Sequence, residues 1–296
     1  MKALVTGGAG FIGSHVVDLL VAEGLDVVVF DNLSTGREAN LNRRAKFVHG
    51  DICDLRPGAA LFQDVDYVFH LAALPRIQPA FDLPVEHEET NVVGTIRVIQ
   101  AAMKTRVKKL VYSSSSAIYG NTERIPTPED TPADLMNPYA LQKYAGERYA
   151  LMLGERFDVP AIALRYFNVY GPRSFDESNR FSAYSSVFGI FNDQKKKGLP
   201  LTVTGTGEQR RDCVHVTDVA RANLAAALSD RVLDAYNVGC GNNFSIIEIA
   251  RMFSDNIVHI PERKGEARVT VADVSKIKTQ IGWTAKLDLR EGLATL

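Results

Sequence analysis

The stretch "ALVTGGAGFIGSHVV" (residues 3–17) decides the fold. Its first four residues are apolar and partly β-branched, as suits a strand covered on both faces. The segment "TGGAGFIG" (6–13) then sets Gly7, Gly10 and Gly13 at regular intervals, where an apolar helical period begins. Glycines so spaced let the backbone turn tightly and approach a pyrophosphate, while the start of a helix offers free N–H groups and the positive end of its dipole. A glycine-rich turn that holds no ligand would share this spacing but not its surroundings. A second strand, "DVVVF" (26–30), leads into "FDN", so Asp31 stands roughly 20 residues beyond the glycines, where an acidic side chain accepts from both hydroxyls of an adenosine ribose. That carboxylate would repel a 2′-phosphate and so favours NAD over NADP. The plainer reading of Asp31 is a turn or cap residue.

Further along, short apolar runs alternate with segments of helical period. Strands are predicted at 3–6, 26–30, 46–49, 67–72, 109–114 and 161–167, and helices near 12–23, 86–104 and 139–157. This alternation predicts an α/β fold, a doubly wound, Rossmann-like parallel sheet with helices on both faces. After "GPR" (171–173) the pattern changes to polar and aromatic segments with the charged break "KKKGLP". We therefore expect residues 1–174 to form the dinucleotide-binding domain and 175–296 mainly a smaller, mixed substrate lobe. The segment 216–240, which begins with the helical "VTDVARANLAAAL" (216–228), is expected to return to the first domain.

The chain has 296 residues, 46% of them hydrophobic and 23% charged, enough for a full core, and its net charge of −1 gives no general attraction to nucleic acid or to an anionic membrane. Three scattered cysteines, Cys53, Cys213 and Cys240, form neither a disulfide framework nor a CxxC zinc pattern, which suits a reduced, cytoplasmic setting. No apolar stretch approaches a membrane span. Metal-ligand spacing is absent too, and His70 and His215 read as structural groups at strand ends.

In "NPYALQKYAGERYA" (137–150), Tyr139 and Lys143 lie four residues apart and share a helix face. A free tyrosine has a pKa of about 10, and a neighbouring cation would favour its phenolate, making it a base. The other reading is an aromatic ring packed on the lysine stem.

Taken in order, the glycine motif, "GDICD" (50–54), "HLAAL" (70–74), "SSSSAIYG" (113–120), "PYALQK" (138–143) and "RYFNVYGP" (165–172) resemble the extended short-chain dehydrogenase/reductase family of NAD-dependent nucleotide-sugar epimerases and dehydratases. The likeness covers nearly the whole chain. It implies that NAD contacts Gly7, Gly10, Phe11, Ile12, Gly13, Asp31, Asn32, Asp51, Ile52, Leu71, Ala72, Ala73, Ser113 and Tyr166, and that Asn91 orders the active-site helix. It also implies that Tyr139, aided by Lys143, takes the proton of a sugar hydroxyl, while Ser115 hydrogen-bonds the same oxygen. For substrate it implies Asn168, Tyr184, Arg211 and Arg263, with Arg268 close enough in sequence to share or take the role of Arg263.

Where dehydratases and decarboxylases of this family carry an acid after the serine, this chain has Ser116 and Ala117. The resemblance therefore implies NAD-dependent 4-epimerisation of a UDP-sugar: UDP-glucose and UDP-galactose, or their N-acetyl forms. UDP-glucuronate epimerisation is the alternative enzyme reading, and a non-catalytic NAD sensor the alternative class. Pro75 and Arg76 depart from the Lys-Ala pair of the galactose epimerases, Arg76 being suited to an acidic sugar, and Thr270 falls near the position that limits the C2 substituent. A homodimer through the helices near 92–104 and 141–157 is a further implication.

Overall fold

The computed structural model describes residues 1–179 and 186–296. Seven parallel strands form one sheet: β1 (Lys2–Thr6), β2 (Asp26–Asp31), β3 (Lys46–His49), β4 (Tyr67–His70), β5 (Lys109–Ser115), β6 (Ala161–Tyr166) and β7 (Asp234–Val238). Their spatial order is β7-β6-β5-β4-β1-β2-β3. The order reverses between β1 and β4, and the strand ends leave a crevice there. The first six strands lie where the apolar runs predict them, within a residue or two.

Successive side chains of each strand enter different cores. Ala3 and Val5, Val27 and Val29, and Ile162 and Leu164 face a cluster built with the helices Phe11–Ala22 and Val216–Leu228. Leu4, Val28, Phe30, Leu110 and Tyr112 face the opposite cluster, which includes Val98 and Ala102 of the helix Thr95–Ala102 and Ala150 of the helix Pro138–Phe157. Two buried faces explain why these strands read as continuous apolar runs. Beyond the sheet, Tyr170, Phe188, Phe191, Leu201, Val203, Ile246 and Ile249 close a separate core, around helices Val187–Lys196 and Ile246–Phe253 and the parallel pair Leu201–Thr204 and Ile257–Ile260.

Helix starts follow local chemistry. Asn137 caps the 138–157 helix, its Oδ1 accepting from Ala140 N at 2.8 Å, and Pro138 sits where no N–H is required. The single helix expected near 86–104 is instead a short helix Pro84–Glu88, a π-helical turn Glu89–Gly94 and the helix Thr95–Ala102. The wider turn carries Asn91, whose Oδ1 accepts from Leu74 N at 2.8 Å, while Nδ2 donates to Leu74 O at 2.9 Å and Gln142 Oε1 at 3.0 Å. A tertiary demand on one side chain has overridden the local period.

Behind the sheet edge of the site lies a buried charge pair. Arg165 on β6 donates from Nη2 to Glu147 Oε1 at 2.6 Å and from Nε to Oε2 at 3.0 Å, and Ser114 Oγ on β5 donates to the same carboxylate at 2.6 Å. Glu147 is fully buried. Removing one member leaves a desolvated charge without its counter-ion, whereas removing both does not. Glu147→Leu should therefore cost about 3–5 kcal/mol in urea unfolding, and Glu147→Leu combined with Arg165→Met should cost less than Glu147→Leu alone.

Candidate active site

The C-terminal ends of β1, β2, β4, β5 and β6 open into a cavity of about 490 Å³, within the range of ligand sites. At one end it is floored by the glycine turn. Gly7 has φ +74°, and a Cβ there would stand 2.5 Å from Ala72 N; a Cβ on Gly13 would stand 2.1 Å from Gly7 O. Both positions need the bare backbone, and the free N–H groups of the helix that follows Gly10 face the cavity floor.

Asp31 closes this end and does two jobs. Its Oδ2 accepts from Ala9 N at 3.0 Å and its Oδ1 from Leu33 N at 2.8 Å, so the turn reading holds, yet the carboxylate also lines the cavity with acceptor capacity to spare. Burial pushes its pKa up, and the two N–H donors work against that. Asn32 donates to Asp51 Oδ2 at 2.7 Å, and Asp51 Oδ1 accepts from Cys53 N at 2.7 Å. Although burial opposes ionisation of Asp51, these donors outweigh it and hold the carboxyl below its ordinary value. With Phe11, Ile12, Ile52, Leu71, Ala72, Ala73 and Ser113 along the walls, this half of the cavity has the shape and donor set for a dinucleotide with free ribose hydroxyls.

Ser115, at the end of β5, and Tyr139 and Lys143, one turn apart on the 138–157 helix, all line the cavity. The Ser115 hydroxyl lies close enough to the Tyr139 phenol to act on it, and Ser115 Oγ accepts from Ala117 N at 3.1 Å. Burial pushes the Tyr139 phenol up; the Ser115 hydroxyl and the Arg76 charge pull it down. Lys143 is 3% exposed, its Nζ 4.5 Å from the centre of the Tyr112 ring. Burial pushes its pKa down to about 7, with Glu147 one turn on acting the other way. Glu147 and Arg165 do not touch the cavity and were not singled out in the sequence, although the spacing Tyr139, Lys143, Glu147 marks one continuous helix face.

At the far end lie Arg211, Arg263 and Arg76. Arg211 is paired with Glu266 at 3.3 Å, a cavity residue for which the sequence carries no periodic signal. Arg268 does not share the role of Arg263: its side chain is exposed outside the wall, and the residue contributes main chain, Arg268 O accepting from Arg210 N at 2.9 Å. Asn168 lines the cavity, but Nδ2 spends its hydrogens on Asp212 O at 3.1 Å and Thr270 Oγ1 at 3.2 Å. Tyr166 lines it too, with its hydroxyl turned to Asn223 Oδ1 at 2.9 Å. Asn91 stands behind the wall and acts through Leu74 and Gln142. Tyr184 lies outside the described residues.

His70 and His215 are structural, as the sequence predicts. His70 bridges Thr6 Oγ1 and Thr95 Oγ1 at 2.7 and 2.9 Å and is pushed down to about 3, chiefly by burial, so it stays neutral. His215 lies 2.8 Å from Thr217 Oγ1 and 3.1 Å from Thr295 Oγ1. Among the described residues no group of His, Cys, Asp or Glu could hold a metal, and no helix is long and apolar enough to cross a membrane.

Comparison with known proteins agrees with this geometry. Residues 3–239 match the model of the NAD dependent epimerase/dehydratase family. The chain is 36% identical to a putative UDP-glucose 4-epimerase of Methanocaldococcus jannaschii, over 98% of this chain and 95% of the relative. Among solved structures, the UDP-glucose 4-epimerase of Thermotoga maritima with UDP-glucose superposes with a TM-score of 0.94 at 37% identity, covering 99% of this chain and 96% of that one. The Thermus thermophilus UDP-glucose 4-epimerase complexed with NAD gives 0.90 at 34% identity, covering 100% and 97%. With its glycine turn, the Asp31 carboxylate and the residues Ser115, Tyr139 and Lys143 lining one cavity, the chain belongs to the NAD dependent epimerase/dehydratase family and is an NAD-dependent epimerase.

Proposed function

We propose that the protein inverts C4 of a UDP-sugar, with UDP-glucose and UDP-galactose, or their N-acetyl forms, as the first substrates to test. The observation that carries this reading is that Ser115, Tyr139 and the buried Lys143 line one cavity, with the Ser115 hydroxyl close enough to act on the Tyr139 phenol and the cavity's acids elsewhere. Among the described lining residues the carboxylates are Asp31 and Asp51, held by main-chain donors near the glycine turn, and Glu266, paired with Arg211. None stands beside Ser115 to protonate a leaving hydroxyl or to serve a second step, which supports epimerisation over dehydration or decarboxylation.

In this mechanism Tyr139 takes the proton of the C4 hydroxyl, and Ser115 donates to that oxygen as it becomes a carbonyl. Lys143, when charged, favours the phenolate. NAD, held along the glycine turn, Asp31 and the walls between, supplies the hydride acceptor and donor at C4. Arg211 and Arg263 hold the diphosphate while the sugar ring presents its other face, and Tyr139 then returns the proton. Thr270, already bonded to Asn168, bounds the space at the sugar.

Two copies are proposed to pair through the helices around 84–102 and 138–157, which leave Val85, Leu141 and Met152 70%, 52% and 56% exposed. A monomer in sedimentation velocity at micromolar concentration would rule this out.

Incubated without added NAD with a panel of UDP-, dTDP- and GDP-sugars, the purified protein should interconvert C4 epimers; net loss of water or CO₂ would refute the reading. Tyr139→Phe should lower kcat by about 10²–10⁴-fold with cofactor still bound. Lys143 supplies a test through stability. Its folded pKa of about 7 lies below the ordinary 10.5, so between those values the unfolded chain binds more protons and the lysine's cost is full at and below pH 7, fading as pH rises. Lys143→Met should therefore unfold at higher urea than the parent near pH 7, with the gain shrinking toward pH 10, while turnover falls.

A further inference from the structure

Arg76 has a backbone and a side chain that the fold alone does not account for. Its φ is +91° and ψ 139°, a conformation that glycine takes freely and arginine does not. The chain is clamped on both sides of it. Upstream, Asn91 holds both main-chain groups of Leu74; downstream, Gln78 Nε2 donates to Lys264 O at 2.8 Å, and the Phe81 ring lies against Gly265. Held this way, the side chain lines the cavity within electrostatic reach of both Tyr139 and Arg263.

There it has no hydrogen bond or ion pair among the described residues, in contrast to Arg211 with Glu266. Its electrostatic neighbours are the Tyr139 phenol and the Arg263 cation, and burial pushes its pKa below the ordinary value. A half-buried cation facing a second cation favours an anion, and none of the described residues supplies one to Arg76. We propose that Arg76 receives a carboxylate carried by the sugar ring, so that the preferred substrate is a nucleotide-linked uronic acid rather than a neutral hexose.

The assignment rests on Tyr139 marking C4, as in the proposed function. A cofactor pyrophosphate belongs to the glycine turn, at the other end of the cavity, and the substrate diphosphate has Arg211 and Arg263. The carboxylate of a hexuronic acid sits on C5, adjacent to the carbon at which Tyr139 acts, and a guanidinium can take both its oxygens at once. A neutral hydroxymethyl group in the same place leaves the cation uncompensated. The other source of negative charge within reach is the diphosphate itself, and it predicts a different pattern.

The test is the ratio of kcat/KM for UDP-glucuronate to that for UDP-glucose, in the parent, Arg76→Met and Arg76→Gly. The parent ratio should exceed one and fall about thirtyfold or more in both variants, the size carried by a charge-assisted contact. Arg76→Gly relieves the backbone, so a melting temperature at or above the parent's would show that the loss is not one of folding. A parent that prefers UDP-glucose, or variants that lose both substrates equally as a diphosphate contact predicts, overturns the assignment. Calorimetric binding of UDP-glucuronate, UDP-glucose and UDP to Tyr139→Phe, with and without Arg76→Met, separates this from the epimerase reading. Tighter, Arg76-dependent binding of UDP-glucuronate with no turnover of any sugar by the parent supports the carboxylate site and refutes the epimerase. Turnover with equal, Arg76-independent binding does the reverse.

Discussion

The carboxylate of Glu147 holds the site together. It lies one turn beyond Lys143 in the 138–157 helix, yet its partners are on the sheet: Ser114, next to Ser115 at the end of β5, and Arg165 on β6. A buried charge tolerates little displacement, because each lost hydrogen bond leaves it more poorly solvated. The helix is thereby fixed against the strand end in both rotation and height. Tyr139 and Ser115 come from segments more than twenty residues apart, and their closeness depends on that anchoring. Apolar contacts such as Ala150 against the sheet add adhesion but little directional restraint.

Charge is sorted along the cavity. Carboxylates held by main-chain N–H groups, Asp31 and Asp51, stand near the glycine turn, while Arg76, Arg211 and Arg263 gather beyond the Ser-Tyr-Lys cluster. Between them sits Lys143, whose burial makes its charge costly at neutral pH.

Much of this was legible in the chain because its signals are local. Apolar runs report strands with two covered faces, and "TGGAGFIG" reports a tight backbone turn, which Gly7 makes at φ +74°. Legibility failed where a side chain answers to a distant partner. The π turn at Glu89–Gly94 exists because Asn91 must reach Leu74 and Gln142, and nothing in the period of 86–104 announces that. Arg263 and Arg268 look interchangeable in one loop, yet only the first lines the cavity. Asn168 is implied as an amide donor to substrate, and its hydrogens are turned to Asp212 and Thr270. Arg76 stood out as a departure from relatives, but its backbone conformation and lack of a protein partner required coordinates.

The seventh strand has a consequence for how the molecule is made. β7 pairs with β6 only after the chain has passed through the separate core around Phe188 and Ile249. On a ribosome, the hydrogen-bonding edge of Ala161–Tyr166 therefore emerges long before Asp234–Val238 can cover it. An apolar strand with an open edge is a template for pairing with another chain. The nascent protein must carry that exposed edge through the synthesis of about seventy residues, at 5–20 residues per second roughly four to fourteen seconds in which dilution or a chaperone has to substitute for β7.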